Sequence, residues 1–114
     1  MVETKTIAIG GEMRPIHYGF AALGEWCDLT NTSLQDLGGL GQNISLSAAI
    51  QLIWCGLKHG SRRKKEVIKY TADDVADWID DEGMGVFNEA MEIFSSSLAK
   101  MNPDEKKKGE KKKK

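Results

Sequence analysis

Cys55 and His59 lie four residues apart in "AAIQLIWCGLKHG", the spacing that puts two side chains on one face of a helix. A thiol and an imidazole so placed could ligate a metal or act as a nucleophile–base pair. A tetrahedral zinc site needs two more ligands. Cys27 and His17 are of the right type, but no C-x-x-C pair preorganises them. The plainer reading is a buried cysteine and a histidine at a helix end. A second cluster is acidic: Asp73, Asp74, Asp77, Asp80, Asp81 and Glu82. Taking Gly83 as the sixth position of a calcium loop puts Asp80 and Glu82 at the third and fifth. Trp78 then stands at the first, where an oxygen ligand is required, so this is not an EF-hand. From Asp73 to Glu92 there are eight acids and no basic residue. Such a face is either plainly solvated or an electrostatic docking surface for a basic partner, with Asp73, Asp77 and Asp80 as its candidates.

The third feature is a stripe, Met84, Phe87, Met91, Phe94, Leu98 and Met101, spaced 3-4-3-4-3. It reads as the core side of a helix or as a seam for another amphipathic helix. Met84, Phe87, Met91, Phe94 and Met101 are therefore candidate partner-binding residues. Trp26, Trp54 and Trp78 are read as anchors of the domain's own core. "RRKK" at Arg62–Lys65 follows a helical segment, as basic residues do near the turn of helix–turn–helix proteins. Strong phosphate binding would need several more cations on one face. No glycine-rich phosphate loop and no G-x-S-x-G elbow occurs, so an enzyme, a cofactor, a metal and a small-molecule substrate are not expected.

Positioning these residues falls to a short series of elements. "TKTIAIGGEMRPIHY" alternates around Ile7, Ile9 and Ile16 with Gly10-Gly11 between, which predicts two strands and a tight turn. Pro15 lacks a donor, so the second strand is at best an edge strand. "FAALGEWCDL" then places Phe20, Leu23, Trp26 and Cys27 on one helical face. Ser33 is a cap-like residue before a short turn broken by Gly38, Gly39 and Gly41. "SLSAAIQLIWCGLKHG" is helical through Leu46, Ile50, Ile53, Trp54 and Leu57, with Gly60 as its stop and "SRRKK" as a charged connection. Thr71 caps a helix carrying Val75, Trp78 and Ile79 on one side, and Gly83 ends it. A last helix runs roughly from Met84 to Met101 and stops at Asn102-Pro103.

The expected fold is mainly α: one small domain of about four helices over residues 1–102, with a short N-terminal β-hairpin. Residues 103–114 are expected to be a disordered lysine-rich tail. The chain of 114 residues is 40% hydrophobic and 29% charged, a globular composition with no apolar run long enough to span a bilayer. Its N-terminus lacks the pattern of a signal peptide, and two widely spaced cysteines demand no oxidising compartment, so a reduced cytoplasm is expected. Charge is unevenly spread: residues 1–103 carry nine basic and fourteen acidic side chains, whereas 104–114 hold seven lysines against three acids.

In order, the segments resemble the tail assembly chaperones of long-tailed bacteriophages. "IGGEMRPIHYGFAALGEWCDLTNTSLQDL" resembles their opening hairpin, glycine–aromatic helix start and "T-x-x-S-L" turn. "LSAAIQLIWCGLKHG" resembles their Ala-rich helix ending in "W-x-G-L-x-H", and "YTADDVADWIDD" their Thr-capped acidic helix, followed by a last helix of the "NEAMEIFSSSL" kind. The match covers about residues 5–100. It implies a phage or prophage protein that binds the tape measure protein, a very long helical chain, and keeps it soluble until tail-tube subunits polymerise around it. It also implies absence from the mature virion; no membrane partner is expected from the lack of a long apolar run, and self-association stays open. No binding motif of the family transfers to particular residues. Lysine codons are AAA and AAG, so "KKKGEKKKK" is encoded by adenine-rich sequence on which ribosomes slip. The resemblance then implies a longer form, made by a programmed frameshift, that recruits tail-tube subunits. The competing expectations are a small DNA-binding regulator using Arg62–Lys65 and the lysine tail, and a head–tail structural component of the virion.

Overall fold

A computed structural model of the chain describes residues 3–33 and 44–101, with the side chain of Met101 outside the described set. The elements follow in the order β1 (Lys5–Ile9), β2 (Glu12–Ile16), α1 (Phe20–Thr30), α2 (Leu46–Arg63), α3 (Ala72–Glu82) and α4 (Met84–Met101). The fold is mainly helical with an N-terminal two-stranded antiparallel hairpin, as the sequence predicts. The turn after Ser33 and the lysine tail lie outside the described residues.

Gly10 and Gly11 both take positive φ (68° and 80°), the conformation of a two-residue turn whose twist matches that of the strands. Counting from that turn, Ile9↔Glu12 is a hydrogen-bonded pair and Thr6↔Pro15 is not, so the missing Pro15 donor costs no ladder bond. Alternation puts Ile7, Ile9 and Ile16 on one face, and all three are buried. Arg14 shares that face. Its guanidinium lies 4.8 Å from the Tyr70 ring and 4.4 Å from Trp78, and its Nε donates to the Ile9 carbonyl at 2.9 Å. The turn itself is held to the end of α3, where the Gly10 N–H donates to Glu82 Oε2 at 2.8 Å.

Gly60 does not stop α2. The helix continues to Arg63, and "SRR" belongs to its last turn rather than to a connection. Tertiary packing gives the reason. A Cβ on Gly60 would stand 2.5 Å from the Pro15 carbonyl carbon and oxygen, and one on Gly56 would stand 2.5 Å from the Tyr18 ring. Two glycines one turn apart thus leave a flat strip on α2, along which residues 15–18 lie. The His17 N–H donates to the Gly56 carbonyl at 2.9 Å, and the Tyr18 hydroxyl donates to the Leu52 carbonyl at 2.9 Å. Gly60→Ala must push backbone against backbone, which costs about 1–3 kcal/mol. We expect its urea midpoint to fall with the m-value unchanged; an unshifted midpoint would show that the strand can simply move aside.

The core joins the hairpin face to Leu23 and Trp26 of α1, Leu52, Ile53, Cys55 and Leu57 of α2, Val75 and Ile79 of α3, and Ala90 and Phe94 of α4. Phe20 is not part of it. At 72% exposure it points outward from the first turn, and Ala22 takes the core position beside Leu23 and Trp26. Trp26 is buried and donates from Nε1 to the Ala48 carbonyl at 2.9 Å, whereas Trp54 and Trp78 pack on the core's margin. Ser45 caps α2 by accepting from the Ala48 N–H. Thr71 and Asp74 form a reciprocal capping box on α3, and Gly83 (φ 93°) turns the chain into α4.

Candidate functional site

Buried side chains of α4 fall at Ala90, Phe94 and Ser97, a line of spacing 4-3. At ~100° per residue, Phe87 lies roughly 50° and Met91 roughly 90° from that line, on a shoulder of the helix. Both are half-buried, and Met84, at the helix start, is 60% exposed. Beyond the shoulder runs a shallow groove of about 560 Å³, lined by Phe87, Asn88, Met91, Glu92 and Ser95 of α4 and by Ile44, the residue two before α2. An adjoining groove of about 620 Å³ lies between α4 and β1, lined by Thr4, Lys5 and Thr6 and by Ile93 and Ser96. Glu89 and Glu92 border both, so they form a ridge between two shallow channels.

The stripe predicted from sequence therefore divides. Phe87 and Met91 line a groove and Met84 is open to solvent at the helix start. Phe94, by contrast, is core: 2% exposed, its ring meets Tyr18 edge-on at 5.4 Å. It is not available to a partner. The side chain of Met101 lies outside the described residues. Asp73, Asp77 and Asp80 are exposed on α3, yet none of them lines the α4 groove. The acids that do are Glu89 and Glu92, which the sequence shows as part of the acidic run but not as neighbours of the stripe. Ile44 was not read from sequence at all. It is forty residues from α4, and only packing brings the two together.

The chain matches no family model, no curated protein and no solved structure.

The thiol–imidazole pair of α2 has other duties. Cys55 is buried and its thiol is pushed up to about 12, chiefly by desolvation, so it is not poised as a thiolate nucleophile. His59 turns its Nε2 to Glu25 Oε1 at 2.7 Å, and Lys58 Nζ donates to Glu25 Oε2 at 2.7 Å. Glu25 of α1 thus clamps two consecutive residues of α2, a role that sequence reading missed. The imidazole Nδ1 is buried without a partner among the described residues. No group of three or more His, Cys, Asp or Glu among the described residues is arranged to hold a metal ion. Nor is any helix among them long and apolar enough to cross a membrane. Arg62–Lys65 are all exposed at the end of α2.

Two groups tie stability to pH on the acid side. The Lys58 hydrogen bond holds the Glu25 carboxyl below its ordinary value of 4.5. Burial, helped by Arg63, His59 and Arg62, holds His17 below 6.5. In both cases the unfolded chain takes up protons more readily than the folded one. Their contribution is therefore complete at neutral pH. It shrinks first below pH 6.5, as His17 becomes a target for protons, and again below 4.5 as Glu25 does. Urea titrations across this range should show both losses, and Glu25→Gln should remove the second while keeping the first. An unaltered acid limb in that variant would show that the clamp does not contribute.

Proposed function

We propose that this protein is a non-enzymatic tail assembly chaperone that binds and solubilises the tape measure protein while a phage tail is built. The observation that carries the reading is the apolar shoulder of α4. Phe87 and Met91 are half-buried beside an open groove, and Met84 is exposed, whereas the neighbouring Phe94 is sealed in the core. A helix packed so that part of its apolar side stays accessible can take a second amphipathic helix against it. Methionine suits this role because its flexible side chain adapts to varied partners, as a client of many similar but unequal segments requires. The order of the sequence motifs supports the same reading. On it, the protein works in the cytoplasm of the bacterial host, is absent from the finished virion and, in a longer frameshifted form, recruits tail-tube subunits.

The test is co-expression. A tape measure protein that is insoluble alone should become soluble and co-purify when this chain is present. If it stays insoluble, the reading fails. Arg62–Lys65 favour duplex DNA as the alternative ligand, and DNA binding with a steep salt dependence, together with no effect on the client, would establish that reading instead.

A further inference from the structure

The groove on α4 is not neutral. One wall is apolar, from Phe87, Met91 and Ile44, and the other is the ridge of Glu89 and Glu92. These two acids are three residues apart, hence about one turn apart, on the side of α4 that faces away from the core. Both are exposed, and among the described residues the one cation that lines either channel is Lys5, in the channel on the ridge's far side. Lys5 is itself paired with Glu3 at 3.7 Å. No basic residue occurs between Lys69 and Lys100. The groove therefore offers a partner an apolar seam along one edge and two unneutralised carboxylates along the other.

Resting on the client-groove reading above, we infer which client segments are taken. They are amphipathic helices with paired Lys or Arg residues, three or four positions apart, along one border of their apolar stripe. Laid in the groove, such a helix puts its apolar residues against Phe87 and Met91. Its cations then face Glu89 and Glu92 at the same one-turn spacing. Segments with acids at those positions are refused, because like charges brought together at a rim oppose association. The ridge thus sets the register and direction of the client, and the apolar wall supplies most of the affinity.

Three synthetic 18-residue helical peptides with one leucine stripe, bordered by paired Lys, Gln or Glu, test this against the full chain by fluorescence anisotropy. At low salt the Lys peptide should bind roughly tenfold more tightly than the Gln peptide, the size expected of two rim charge pairs. The advantage should vanish near 1 M salt, where the Debye length is about 3 Å. Glu89→Gln/Glu92→Gln should abolish the preference while leaving the Gln peptide's affinity unchanged. Asp73→Asn/Asp77→Asn/Asp80→Asn should keep the preference, because those acids stand outside the groove. A preference that survives in Glu89→Gln/Glu92→Gln, or a Glu peptide that binds as well as the Lys peptide, overturns the inference and leaves the chaperone reading intact. If Met91→Ser weakens neither the Lys nor the Gln peptide, the groove itself is the wrong site and both readings fall.

Discussion

A Phe94→Asp variant is expected to be unfolded at 25 °C. Phe94 is 2% exposed and meets the Tyr18 ring edge-on, and Tyr18 in turn holds the Leu52 carbonyl of α2. Truncating a buried phenylalanine costs about 3–5 kcal/mol, and an unpaired carboxylate in its place adds several more. Domains of this size have only about 5–15 kcal/mol of stability to lose. Far-UV circular dichroism should show helix content collapsing, with no cooperative urea transition. Phe94→Leu, which keeps apolar contact at smaller volume, should lose about 1–2 kcal/mol and remain folded. A Phe94→Asp protein with a wild-type transition would mean that α4 turns this face to solvent, contrary to the packing described here.

Local signals were legible where their cause is local. The Thr71 cap and the Gly10-Gly11 turn each depend on residues within a few positions of one another, so spacing alone reveals them. The start of α4 fell at Met84 because Gly83 acts on the residue adjacent to it. Gly60 was read as a stop because glycine usually weakens a helix. Here it is kept for the absence of a side chain where Pro15 crosses, a contact forty-five residues away in sequence. Phe20 and Phe94 show the same limit from opposite sides. Periodicity says which residues share a face of a helix, but not how that face is rotated relative to its neighbours. Phe20 consequently stands in water and Phe94 is sealed, although both were read on apolar faces.

The candidate site depends on that rotation more than the fold does. A 3-4 repeat spans a band of helix surface wide enough to hold both core and shoulder. Which members fall on the shoulder is decided by Tyr18, which meets Phe94, and by Ile44, which lines the groove together with Met91. Neither is adjacent to α4 in sequence. Acid content was visible at once, but the division between Asp73, Asp77 and Asp80 on one element and Glu89 and Glu92 along the groove was not. It arises because α3 and α4 meet at Gly83, whose φ of 93° reorients the chain between two acidic helices.

Met91→Asp should separate binding from folding. Met91 lies one turn from Phe87 on the shoulder and only three residues before Phe94, yet it is half-buried where Phe94 is closed off. A carboxylate at Met91 can turn into the groove and remain hydrated, so the fold should lose only about 1–2 kcal/mol, in the range of ordinary substitutions. The client is affected far more. An anchor residue at the centre of an interface contributes about 2 kcal/mol or more when truncated, and a charge that must be stripped of water adds to this. Affinity for the tape measure protein should therefore fall by roughly thirtyfold or more, enough to end co-purification. The measurement needs two readouts on one variant: a urea transition close to that of the wild-type chain, and loss of the client from the soluble complex. Retained binding in a folded Met91→Asp protein would remove α4 from the interface. An unfolded Met91→Asp protein would show that the shoulder is core after all, and that the whole 3-4 stripe is spent on the domain's own stability.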